Sequence, residues 1–137
     1  MGSTTSSVRY PQSFVRTYVA GGTIVANKFV KYASDGDVEQ SDAANEFIGV
    51  ALNAAVAGEQ VAVCVAGPCE VVFGAATDLS ATEGPFFLSC DAQAEAVAAT
   101  AGSIQAGFAV MDPKNGTAFA DQDLGLIYLT PQNADAA

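Results

Sequence analysis

Hydrophobic positions in residues 48–67, IGVALNAAVAGEQVAVCVAG, follow a period of two: Val61, Val63 and Val65 on one face, Ala62 and Cys64 on the other. Successive side chains of a strand point to opposite sides. Both faces are therefore apolar, as in a strand covered on both sides. Shorter runs of β-branched and aromatic residues recur at Phe29–Tyr32, Val71–Phe73 and Ile127–Leu129. Turn-forming residues punctuate them at Asp35-Gly36, Gly49, Gly58, Gly67-Pro68, Gly74, Gly84-Pro85, Gly102, Gly107 and Asn115-Gly116. That rhythm predicts an all-β fold of many short strands, a compact small barrel or sandwich.

Alanine is the opposing signal, because it is depleted in strands and favoured in helices. DAQAEAVAATAG (91–102) could form a short helix capped by Asp91 and stopped by Gly102. An internal repeat argues for a hairpin instead. NKFVKYASDGDVEQ (27–40) aligns with EGPFFLSCDAQAEA (83–96) at an offset of 56, and FIGVAL (47–52) with QAGFAV (105–110) at 58. EQVAVCV (59–65) then echoes DQDLGLIYL (121–129). Asp35-Gly36 is a hairpin signal, and Asp91 takes its place in the second copy. Pseudo-repeats of about 23–67 and 77–130 are expected to face each other across one pseudo-symmetric core. They make a single β domain, 23–130, followed by a flexible tail, 131–137.

Residues 1–22 read differently. They are rich in Ser and Thr, then mix Arg9, Tyr10, Phe14, Val15, Arg16 and Tyr18, and end at Gly21-Gly22. Pro11 disfavours helix at Tyr10, so an extended segment follows. Two readings stand side by side: an N-terminal arm laid on a neighbour, or a first strand packed on its own domain.

Charge sharpens that division. Arg9, Arg16, Lys28 and Lys31 fall in the first 31 residues with no acid among them, whereas the remainder has Lys114 against fifteen acids, for a net charge of −10. The acidic body would repel a nucleic-acid backbone, so no nucleic-acid partner is expected. No run of eighteen apolar residues exists to span a bilayer as a helix, so no membrane partner is expected. The start, MGSTTSSVRYPQSF, has no apolar h-region of a secretory signal. Its Met-Gly with Ser6 only loosely matches a myristoylation pattern.

Little in the chain suggests chemistry. Cys64, Cys69 and Cys90 are odd in number and read as buried thiols in a reducing compartment. There is no histidine to complete a zinc site or to act as the usual base. Asp121 and Asp123 lack the ligand spacing of a calcium loop, and no G-x-x-x-x-G-K-[ST] phosphate loop occurs. Lys114 in MDPKNG sits at a plausible hairpin tip, as in a lipoyl or biotinyl carrier, but without those carriers' flanking residues. Neither enzymatic activity nor a cofactor is expected.

FIGVALNAAVAGEQVAVCVAG, preceded by an Asp-Gly hairpin and followed by a degenerate second copy, resembles the small capsid decoration (cement) proteins of tailed phages. The family phrase is an IGVAL-like strand (48–52), an alanine-rich loop (53–57) and G-E-x-V-x-V-x-V-x-G (58–67). The resemblance covers roughly residues 17–130. It implies an all-β virion protein, often a homotrimer, made in the host cytoplasm and placed on the outer capsid surface, with the major capsid protein as partner. An alternative is another virion component, such as a fibre base or tail protein. A small carrier or ligand-binding β module is a third reading. The capsid-binding candidates are Arg9, Tyr10, Phe14, Val15, Arg16 and Tyr18. They rest on charge segregation and aromatic content, not on a family motif.

Overall fold

The structure is a computed structural model that describes residues 13–33, 35–42, 47–80, 86–99, 106–110 and 118–130. Its regular elements are all strands: β1 (Phe14–Val19), β2 (Phe29–Tyr32), β3 (Val38–Gln40), β4 (Gly49–Ala51), β5 (Gln60–Val72), β6 (Thr77–Asp78), β7 (Phe86–Cys90), β8 (Ala96–Ala98), β9 (Gly107–Ala109), β10 (Ala118–Phe119) and β11 (Leu124–Leu129). One sheet runs β3-β2-β4-β5-β11-β9-β7-β8, with β1 also paired to β5, while β6 and β10 form a separate ribbon. The all-β expectation holds.

The long strand β5 serves two units. Its first half pairs with β1 (Tyr18 opposite Val61) and with β4 (Val50 opposite Cys64). β4 continues to β2 and β2 to β3. β3 returns to the chain just after β1 through a parallel bridge between Ala20 and Val38, with the Gly21 amide donating to the Val38 carbonyl at 2.7 Å. The cycle closes into a small barrel. The second half of β5 opens the same cycle again: β11 (Val71 opposite Gly125), β9, β7 and β8, closed by a parallel Phe73–Ala96 bridge and a Gly74 amide on the Ala96 carbonyl at 2.8 Å. Even the closing pieces repeat: Ile24 bridges Ala55 in the first barrel, and Thr77 pairs with Phe119 in the second.

The repeat thus starts at β1, whose counterpart is residues 67–72 of β5. Residues 14–19 are extended and belong to the sheet of their own chain. Counterparts are 53 residues apart along β1 (Arg16 and Cys69), 58 along β2 to β4 (Gly49 and Gly107), and 64 in β5 and β11 (Cys64 and Tyr128). The hairpin register is 58, not 56. The Ala33 amide bonds the Asp37 carbonyl just as the Asp91 amide bonds that of Glu95. Gly36 (φ 92°) therefore corresponds to Ala94 (φ 63°). An alanine in a left-handed position carries no turn signal, so the alignment slipped by two residues. Segment 91–98 is that hairpin rather than a helix: Asp91 Oδ1 accepts from the amides of Gln93 and Glu95, both at 2.9 Å.

Glycine is required at the matched positions 49 and 107. A Cβ there would lie 2.2 Å from the Cys64 carbonyl oxygen and 2.1 Å from that of Tyr128. Gly67-Pro68 is no turn. The strand continues through it, with φ 94° at Gly67. This irregularity changes which side of β5 meets the larger core: Cys64 before it, Cys69 and Val71 after it. Val61 and Val63 line the first barrel with Ala20, Ile24, Val30, Val38, Ala51 and Ala55, so both faces of this stretch are indeed covered.

The two cores are not mirror halves. Where the first barrel has Ala20, Ala55 and Val61, the second has Phe73, Phe119 and Gly125. The two rings stack at 4.5 Å between centroids over the space a Gly125 side chain would take, since its Cβ would lie 2.4 Å from Phe73. The glycine makes room for the rings, so the backbone plan is kept while the side chains that fill it change. Nor do like faces meet. Phe29, Val50 and Cys64, on the outside of the first barrel, join the core cluster that fills the second.

Candidate interaction surfaces

One open end of the first barrel is framed by Arg16 and Tyr18 from β1, Tyr32 from β2, Ile48 and Val65. Pairing of β1 with β5 and of β2 with β3 turns these residues toward the barrel axis, yet Tyr32 remains 56 % exposed. The Tyr18 and Tyr32 hydroxyls are hydrogen-bonded at 3.2 Å, and their rings meet edge-on with centroids 5.9 Å apart. The Arg16 guanidinium lies 6.0 Å from the Tyr18 ring centre, a cation–π contact. Arg16 has no salt bridge among the described residues. The hydrogen bond to Tyr32, helped by partial burial, raises the Tyr18 phenol above its ordinary range. Beside this mouth Lys31 is held by Asp42 at 2.8 Å and by Glu39 at 3.7 Å, and the ammonium lowers the Asp42 carboxyl.

The candidates on the N-terminal segment are divided by this arrangement. Arg16 and Tyr18 meet at the mouth. Val15, opposite Cys64, packs against the larger core. Phe14 is 58 % exposed at the start of β1. Arg9 and Tyr10 lie outside the described residues.

A second surface, absent from the sequence reading, lies on the outside of the other barrel. Phe87 on β7, Phe108 on β9 and Tyr128 on β11 are direct cross-strand neighbours. Phe108 and Tyr128 stack at 5.6 Å with ring planes 9° apart. Phe87 is 43 % exposed and Tyr128 41 %. Pro68 and Glu70 of β5 continue this strip through their pairing with Tyr128 and Leu126. Only the strand register reveals the strip, because its members come from three separated runs.

Between these surfaces the same parts are already joined. The strip's counterparts in the first barrel, Phe29, Val50 and Cys64, are fully buried. So are the mouth's counterparts in the second: Cys69, Val71, Cys90, Ala106 and Leu129. The first barrel's outer strip thus seals the second barrel's mouth. Polar contacts fix the seal: Lys28 to Glu95 at 2.9 Å, Gln122 to the same carboxylate at 3.0 Å, the Phe29 amide to the Ala94 carbonyl at 2.9 Å, and Asn27 to the Glu70 carbonyl at 3.2 Å. The Cys64 and Cys69 thiols share a hydrogen bond that lowers the first and, with burial, raises the second. Burial pushes Cys90 up to about 12 although its thiol contacts Ser41.

A groove of about 320 Å³ between Thr23–Val25 and Ala54–Val56 is apolar apart from Thr23 and Glu59, and the Glu59 carboxylate is engaged by the Val56 amide at 2.9 Å. Asp123 accepts from the Ala120 amide and Asp121 from the Gln122 side chain, which makes this stretch a hydrogen-bonded turn. Lys114 and Asn115-Gly116 lie outside the described residues. No buried side-chain nitrogen or oxygen among the described residues lacks a hydrogen-bond partner.

No known protein family's profile matches the chain, and no curated protein matches it in sequence. A solved structure does match in fold: the N base of head fiber gp8.5 in bacteriophage phi29. The match has a TM-score of 0.59 and 17 % identity, and covers 87 % of this chain and 95 % of that one. At that identity the likeness is one of fold.

Proposed function

We propose that this chain is a non-enzymatic structural component of a tailed-phage virion. It sits on the outside of the icosahedral head, bound to the major capsid protein, and stabilises the shell as a decoration (cement) protein. The observation that carries the reading is where the polar and apolar groups lie. Buried polar groups are spent on internal hydrogen bonds, whereas aromatic residues are displayed on the outside of a rigid double barrel. This is the layout of a docking block, and the same fold occurs in a phage head-fiber base. Exposed Phe14, with Arg9 and Tyr10 just before it, is the shell contact in this account. Self-association, as a homotrimer, multiplies individually weak contacts into firm attachment. The acidic body keeps nucleic acid from competing.

A second reading, the base of a head fibre, is favoured by what that fold neighbour is. Co-sedimentation with undecorated heads separates the two. Cement protein should saturate in step with the lattice of capsomer junctions and raise the temperature at which the shell breaks open. A fibre base should bind at few sites without that shift. No binding to any head would contradict both readings.

A further inference from the structure

Each barrel has a mouth and an outer strip, and among the described residues the fold joins one strip to one mouth. What remains open is the complementary pair: the first barrel's mouth (Arg16, Tyr18, Tyr32) and the second barrel's strip (Phe87, Phe108, Tyr128). We infer that a second copy of this chain covers each of them, the strip of one copy seating on the mouth of the next and repeating between chains the contact made within the chain. The inference rests on the self-association proposed above and names its surfaces.

The register of the repeat says which groups meet. Within the chain Cys64 of the strip and Cys69 of the mouth lie in one buried cluster. Their counterparts are Tyr128 and Arg16, so the thiol pair is replaced by a guanidinium on an aromatic ring, a favourable contact when desolvated. Cys90 becomes Tyr32, a larger side chain that projects from its mouth instead of filling it. Aromatic and arginine residues are those that carry most binding energy at interfaces. Charge supports the same pairing. Arg16 is free of salt bridges among the described residues, Glu70 flanks the strip, and residues 67–130 hold eight acids against Lys114. Because strip and mouth are different surfaces, the interface is heterologous and closes into a ring when the rotation permits. Phe14 stays available to the shell.

Two single substitutions and their mixture test this. Phe87→Asp spoils the strip and keeps the mouth; Tyr32→Asp does the reverse. By light scattering at about 100 µM, where mass action favours even weak assembly, the wild type should be an oligomer and each variant a monomer. An equimolar mixture should form dimers, because one sound mouth then meets one sound strip. Dimer formation also shows that both variants are folded, and Tyr128→Asp replaces Phe87→Asp should that variant not refold. An oligomer that survives Tyr32→Asp, or variants that stay monomeric when mixed, would overturn the pairing but leave self-association standing. A monomeric wild type would overturn both.

Discussion

The two barrels share one set of strand registers and differ in what they leave exposed. In the second barrel the five mouth positions hold Cys, Val, Cys, Ala and Leu, all buried under the first barrel's strip. In the first barrel the same positions hold Arg, Tyr, Tyr, Ile and Val, and the mouth is open. A position's place in the fold is therefore not enough to decide its residue type; the presence of a cover is. Small apolar side chains suit a sealed mouth, where each close contact adds dispersion and removes water. Rigid aromatics with a guanidinium suit a surface that must remain soluble until a partner arrives. Interior packing teaches the same lesson, since the second barrel fills with two phenylalanines over a glycine what the first fills with two alanines and a valine.

Filling the space that Gly125 leaves to the stacked rings should have the largest effect. Gly125→Val gives the second barrel the residue of the first, against a ring 2.4 Å from the new Cβ. Urea unfolding should show a loss of about 3 kcal/mol or more. Adding Phe119→Ala, which completes more of the first barrel's pattern, should restore part of it. The seal between barrels comes next. Lys28→Met leaves the buried Glu95 carboxylate without its ammonium and should cost about 3 kcal/mol, while Lys28→Met with Glu95→Leu should cost much less.

A pH dependence marks the sealed mouth. Burial raises Cys90 from 9.0 to about 12 in the folded protein. Above pH 9 an unfolded thiol releases its proton and the folded one keeps it, so the unfolded state binds fewer protons and stability falls. Cys90's contribution is complete below pH 9 and is lost as pH rises from 9 towards 12. The slope is at most about 1.4 kcal/mol per pH unit. Cys90→Ala should flatten this alkaline limb, read from denaturation midpoints across the range. At the open mouth the stability effect should be smallest. Tyr18→Phe removes an exposed hydroxyl contact and should shift unfolding by less than about 0.5 kcal/mol.

Much of this fold was legible from residue pattern. The alternation at 61–65, the Asp-Gly hairpin and the matched glycines at 49 and 107 each follow from a strict backbone or periodicity demand. What escaped had no such demand. The correspondence between β1 and residues 67–72 is marked by a glycine just beyond each, Gly21 and Gly74, and by few shared side chains, since one segment edges a mouth and the other fills a core. Gly67-Pro68 reads as a turn because the local signal for φ above zero is the same in a turn and in a kinked strand. Of the candidate site, Arg16, Tyr18 and Phe14 were visible as a basic and aromatic cluster. Tyr32 and the strip were hidden because their proximity is a property of register across distant strands.

The most direct test of the account is hydroxyl-radical footprinting of the wild-type protein in dilute and concentrated solution, read residue by residue. Tyr32, Phe87 and Tyr128 should lose reactivity together as concentration rises, while Phe14 stays reactive until heads are added. Protection of Phe14 alone, or a strip and mouth that remain equally reactive at every concentration, would contradict it.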